Sequence, residues 1–257
     1  MLRDELDMLE CRLRELDGSP VYRHVLVESP VTHRGVPKPL YYADNRERFA
    51  PWADRIIHVI AQPPDPVPPS CPGCGRGEPA WVLEHAQRNH VWPALEQAGA
   101  QPEDVVLLCD VDEFPPAEAF TRLPEPVLAC RQNLCMYAAD WLYPQQMLCS
   151  VTARFGWARD RDASAVRDSR EHWPSVNGGW HITWLGGTEG QREKLRTATC
   201  HLEMTADEYD RIYSGACYER GEHHSGTLMM TPVDVDSSWP RWIFERQCPP
   251  SWFRPRP

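Results

Sequence analysis

The stretch "DVVLLCDVDEFPP", Asp104 to Pro116, decides how the rest of the chain is read. Val105 to Leu108 form an unbroken apolar run, the pattern of a strand buried on both faces of a parallel sheet. Asp110, Asp112 and Glu113 then arrive almost together, and Pro115 and Pro116 stop the chain. Ligands of open α/β sheets bind beyond the carboxyl ends of the strands, so carboxylates delivered there point to a site. In an extended chain residues i and i+2 face the same way, which would aim Asp110 and Asp112 together. Both are anionic at neutral pH and repel one another unless a cation lies between them. Hard oxygen ligands favour Mg2+ or Mn2+, an ion that can hold a diphosphate. The plainer reading is a solvated acidic turn; the apolar strand before it and the prolines after it favour the metal.

Outward from this strand, apolar and amphipathic segments alternate. Leu2, Leu6, Leu9, Leu13 and Leu16 recur at spacings of four and three, which predicts a helix over 2–17 ended near Gly18. "VYRHVLVES" predicts a strand ending at Glu28, "HRGVPKPLYY" a loop and "RIIHVIAQ" a second strand. Residues 63–79 hold seven prolines and three glycines and read as an insertion outside the packed structure. A helix over 80–99, bent at Pro93, leads into the opening strand, and a short helix at 117–123 follows it. Residues 127–157 suggest two or more strands, and 158–175 a polar loop. "GGWHITWLGG", a charged helix around Glu193 and Lys194, and a last helix "ADEYDRIYSGACYERG" precede a Trp/Pro/Arg-rich tail at 237–257. The alternation predicts one α/β domain over 1–257 with a mainly parallel central sheet.

Composition narrows the function classes. The formal net charge of -10 disfavours nucleic acid as a partner, because phosphate backbones need a basic surface. No apolar run approaches the roughly 20 residues of a membrane span, and the N-terminus is acidic and amphipathic, unlike an export signal. A cytoplasmic location is therefore expected, with the ten cysteines reduced. Cys109, Cys130, Cys135 and Cys149 lie in apolar stretches where a thiol behaves as a small hydrophobe. Of 27 basic residues only Lys38 and Lys194 are lysine; a need for a compact ammonium at those places and chance survival in an arginine-rich chain explain this about equally well.

"DELDMLECRLREL", "VLVESPVTHRGVPKPLYY", "EHAQRN", "VVLLCDVDEFP", and "GGWHITWLGG" followed by "EKL" occur in that order, and together they resemble glycosyltransferase family 17. The resemblance implies a GT-A-like fold and an inverting transfer from a nucleotide sugar, UDP-GlcNAc, to a glycan hydroxyl. It implies that Asp110 and Asp112 serve metal and nucleotide as a D-x-D pair, with Glu113 beside them as a catalytic candidate. His181 is implied as a late imidazole for the metal or diphosphate, a role neutral imidazole suits; a structural histidine fits the sequence equally. Lys38 and Lys194 fall on the "PKPL" and "EKL" motifs, and Glu28, Glu84 and Arg88 also match motif positions. Glu84 and Arg88 stand at i and i+4, so a helix ion pair explains them nearly as well. Inverting transfer needs a general base near the acceptor hydroxyl, for which Asp140 and Glu171 are the candidates. The resemblance also implies a strand ahead of the "DELDMLE" helix, for which the three residues before Asp4 leave no room. An unpaired apolar edge or gap is therefore expected beside the strand ending at Glu28, with weak UDP binding.

Cys71, Cys74, His85 and His90 give C-x2-C-x10-H-x4-H, close to a zinc-finger spacing. The histidines lie five apart on a helix and do not share a face, so a structural Zn2+ at Cys71 and Cys74 would need other ligands. Two rival readings follow from these features. A haloacid-dehalogenase-type phosphatase also places D-x-D after a buried strand, but it wants Thr or Ser where Phe114 stands. A non-enzymatic zinc-binding module would need the cysteine pair to dominate a chain that is too large for it.

Overall fold

A computed structural model describes residues 5–69, 79–121, 126–197 and 204–255. The first part holds α1 (Leu6–Glu15), β1 (His24–Glu28), α2 (Tyr41–Asp44) and β2 (Ile56–Ile60). Next come α3 (Pro79–Asn89), α4 (Val91–Gln97), β3 (Val105–Leu108), β4 (Glu113–Phe114) and α5 (Glu118–Thr121). The middle contributes β5 (Val127–Met136), β6 (Trp141–Leu142), β7 (Met147–Arg154), α6 (Phe155–Ala158), α7 (Ala163–Asp168) and β8 (Ser175–Thr183). The last part is α8 (Gly187–Thr197), α9 (Ala206–Tyr213), α10 (Ala216–Arg220), β9 (Thr231–Pro232) and α11 (Arg241–Phe244).

The strands form two sheets, and the larger is mixed, which corrects the expectation of a mainly parallel sheet. β1 and β2 pair in parallel by themselves. The larger sheet runs β3-β7-β5-β6-β9, with β8 parallel to β5 and antiparallel to β4. β7 pairs antiparallel with both β3 and β5. The reason lies in the connections. No helix stands between Met136 and Met147, and a parallel return needs a crossover of about a dozen residues or more, usually helical. Nor is β3 covered on both faces: Val105 is 37% exposed, and a four-residue apolar run could not distinguish the two cases.

Three other expectations shift. The 80–99 segment breaks at His90 and not at Pro93, which sits in the first turn of α4 where a missing N–H costs nothing. The polar stretch 158–175 contains α7, whose N-terminus Asp162 caps by accepting from Ala165 N at 2.8 Å. The last helix is two, divided at Gly215 in the left-handed region. Among the described residues all seven cysteines are unpaired. Cys71 and Cys74 lie outside the described residues. His85 Nε2 stands 3.6 Å from Asp168, and His90 Nδ1 turns to Ala86 O.

Among the described residues β1 pairs with a strand along one edge. The even-numbered residues of β1 bond β2, as His24 N to Arg55 O and Ala61 N to Glu28 O show. Backbone groups alternate sides along a strand, so Val25 and Val27 turn theirs the other way. There Val27 O accepts from Gln87 Nε2, and no further strand pairs with that edge among the described residues. Across from it lies the outer edge of β3, and between them runs an apolar slot of about 500 Å3 roofed by α1 and α4. His24 lines this slot with its Nε2 buried and without a partner among the described residues, and burial pushes its pKa down to about 4.

A core of Leu9, Leu13, Leu26, Phe49, Trp180 and Trp239 joins α1 and the β1–β2 pair to the larger sheet. Trp180 stacks on Trp239 at 3.7 Å, and Trp239 Nε1 donates to Ala139 O, so the tail folds back and closes this core. Beside Trp180, Gly179 holds φ +73°, and a Cβ there would overlap Phe114 O and the Pro115–Pro116 backbone. The "FPP" and "GGWH" motifs are therefore one contact, which sets Glu113 opposite His181. Gly179→Ala is expected to cost about 2 kcal/mol or more from strain and overlap together. Gly18→Ala, equally left-handed but with nothing within 4 Å, should cost less. Equal losses in thermal unfolding would show that the Phe114 contact is not what demands glycine.

Candidate active site

The carboxylates do not sit on an extended chain. β3 ends at Leu108, and Asp110–Glu113 make a turn in which Glu113 N donates to Asp110 O at 3.2 Å. Glu113 folds back, so its Oε2 accepts from Asp110 N at 3.1 Å. The alternation that was to aim Asp110 and Asp112 together is lost, and the two carboxylates meet different partners.

Asp112 is 7% exposed and faces β8 and α8. Its Oδ2 lies 3.5 Å from His181 Nε2 and 3.8 Å from Lys194 Nζ. Lys194 is held from behind, donating to Thr183 Oγ1 at 2.6 Å. Burial acts to raise the pKa of Asp112, but His181 and Lys194 outweigh it and hold the carboxyl well below its usual range. The same pairing raises His181 well above an ordinary imidazole against the opposing effect of burial. His181 Nδ1 reaches Cys149 Sγ at 3.5 Å.

Asp110 is about one-third exposed at its side chain and faces two arginines. Arg167 Nη2 donates to it at 2.8 Å, and Arg88 Nη2 stands 3.5 Å away. Together they override burial and keep its pKa well below the carboxylate range. Glu113 is 1% exposed and enclosed: Nη1 and Nη2 of Arg167 both donate to it, and Ser150 Oγ donates to Oε2 at 2.9 Å. Arg12 of α1 braces the turn by donating to Glu113 O and, at 2.7 Å, to Cys109 Sγ.

Of the residues singled out in the sequence, Asp110, Asp112, Glu113, His181, Lys194 and Arg88 converge here. Glu84 stands one step back, paired with Arg88 at 3.0 Å. Glu28 is fully buried elsewhere, accepting from Tyr42 N at 3.0 Å at the start of α2 and meeting His58 Nε2 at 3.1 Å. Lys38 lies over the Tyr41 ring with its Nζ 3.3 Å from Pro39 O. The two base candidates lie apart from this cluster: Asp140 is buried against the tail, accepting from Arg254 N at 2.8 Å, and Glu171 is exposed on the turn before β8. Glu113, wrapped by Arg167 and Ser150, is an anchor of the turn.

Arg167 and Ser150 also join this cluster without a signal in the sequence, where Cys149 reads only as a small hydrophobe. Arg167 is one of 25 arginines and lies in a segment read as loop, so no residue-type signal set it apart. Only a cap motif, Asp162 ahead of "ASAVRD", could have revealed its helix.

No curated protein and no solved structure matches the chain. No helix among the described residues is long and apolar enough to cross a membrane. The family model for glycosyltransferase family 17 matches residues 1–184, a span that contains the carboxylate turn, Arg167 and His181. The chain belongs to glycosyltransferase family 17.

Proposed function

We propose that the chain is a metal-dependent inverting transferase that moves GlcNAc from UDP-GlcNAc to a hydroxyl of a glycan. The observation that carries this reading is the placement of Asp112 Oδ2 between His181 Nε2 at 3.5 Å and Lys194 Nζ at 3.8 Å. A carboxylate oxygen and an imidazole nitrogen at that separation can share one ion, and this donor pair suits Mn2+ or Mg2+. Asp112 and His181 would hold it, with Asp110 across the turn. Bound there, the ion would supply positive charge to the leaving diphosphate.

The chain's own residues account for the rest. Arg88 and Arg167 keep Asp110 ionised from behind, so the turn stays anionic. Lys194, pinned by Thr183, can turn its ammonium from Asp112 to a phosphate oxygen. Asp112 raises the His181 pKa well above that of an ordinary imidazole, so a cation at Nε2 competes with a proton there. Ion affinity is therefore expected to fall as pH falls. The phosphatase reading fares worse, because the position it needs for a hydroxyl is Phe114, 5% exposed within the core.

The test is UDP release from UDP-GlcNAc with and without Mn2+. Release that requires the ion is expected. No release from any UDP-sugar, or full release in the presence of a chelator, would overturn the reading.

A further inference from the structure

β5 and β8 run parallel and end side by side at Met136 and Thr183. The next residue on each, Tyr137 and Trp184, sits in the left-handed region at φ 73° and 61°. Neither is glycine, and such strain persists only where the surroundings over-determine it, often at a functional site. Tyr137 N donates to Thr183 O at 3.0 Å, so the two bends are locked together. Thr183 also receives Lys194, which lies 3.8 Å from Asp112 and 5.5 Å from the centre of the Trp184 ring. A row therefore leads from the carboxylate turn through Lys194 to Trp184.

The row continues into a hairpin closed by the Glu222–Met229 bridge. His224 stacks on Trp184 at 6.5 Å, His223 lies 4.0 Å from His224, and Tyr143 meets His223 edge-on at 5.6 Å. Both imidazoles are held in place. His224 N donates to Tyr137 Oη at 3.2 Å, with His224 Nδ1 2.8 Å from the same oxygen. Ser225 N donates to His223 Nδ1 at 3.3 Å, which leaves the proton of a neutral ring on Nε2. Arg211 Nη1 donates to His224 O at 3.0 Å. Burial lowers the pKa of both rings, which favours their neutral form. The one group of three metal-capable side chains among the described residues is Glu113, Cys149 and His181, so this hairpin is not a second such cluster. It also lies beyond the span that matches the family model.

We propose that Tyr143, His223 and His224, backed by Trp184, form the subsite for the acceptor sugar. The rings are half-buried and fixed, and contacts lead from them through Trp184 and Lys194 to Asp112. A pyranose has an apolar C–H face that packs on the electron-rich faces of such rings, and equatorial hydroxyls that hydrogen-bond neutral imidazole nitrogens. The acceptor role rests on the donor reading above; carbohydrate binding at the hairpin does not.

Two measurements separate them. Saturation-transfer NMR without nucleotide, using chitobiose, lactose, cellobiose and mannobiose as probes, reads the hairpin alone. Wild-type protein should give signals for at least one disaccharide, and His223→Ala and His224→Ala should each weaken that binding about tenfold, the worth of a hydrogen bond and a ring contact. UDP affinity by calorimetry, measured on the same proteins, should be unchanged by either substitution. Absence of any disaccharide signal, or signals that both variants retain, would overturn the subsite. UDP binding lost in parallel with sugar binding would also overturn it, since it would show only a general structural role. Failure of wild-type protein to bind UDP while the disaccharide signal depends on the histidines would remove the donor reading and leave the subsite standing.

Discussion

Asp112→Asn is expected to reduce Mn2+-dependent UDP release by on the order of 100-fold, the scale seen when one preorganised electrostatic contact to a developing charge is removed. The substitution keeps the size of the side chain and removes the charge facing His181 and Lys194. The His181 pKa would then fall, because Asp112, ahead of Cys149, is what raises it against burial. Both cations retain some exposure, 22% and 16% at the side chain, so stability should change by only about 1 kcal/mol. Activity is thus separated from folding. A variant with near wild-type turnover at limiting Mn2+ and a normal melting curve would remove Asp112 from the chemistry.

Arg167→Met should do the reverse and act first on stability. Arg167 and Glu113 are 8% and 1% exposed at their side chains, and the arginine also holds Asp110. Removing one member of a buried pair strands the other, at a cost of about 3–5 kcal/mol. For a chain of this size that corresponds to a melting temperature lower by roughly 10 °C. The turn that carries Asp112 would loosen with it. Because the loss comes from a stranded carboxylate, Glu113→Gln in the same background should recover much of it. A single variant that melts with wild type, or a double variant worse than the single, would show that Arg167 does not stabilise the turn as described.

The sequence made the elements legible where periodicity is strong and the site legible where residue types are rare. The leucine spacing of α1 and the apolar runs of β1, β2 and β3 were readable because side-chain period reports burial directly. Lys194 stood out as one of two lysines, and it lies 3.8 Å from Asp112. Lys38, the other, rests on Tyr41, outside the carboxylate cluster, so rarity alone did not decide function. Sheet direction was misjudged because a short apolar run carries no information about which neighbour it meets. Asp110 and Asp112 were read with the alternation of a strand, whereas hydrogen bonds within Asp110–Glu113 close a turn there. Arg167 and the His223–His224 hairpin were invisible for another reason: their meaning comes from partners 54 and 87 positions away in the chain.

The central claim is that Asp112 and His181 together hold the ion that serves a nucleotide sugar. Anomalous diffraction from crystals grown with UDP and Mn2+ tests it most directly. A manganese peak is expected within bonding distance of Asp112 Oδ2 and His181 Nε2, with Lys194 turned toward a phosphate. A peak among Glu113, Cys149 and His181 with Asp112 uninvolved, or UDP bound far from this turn, would contradict it.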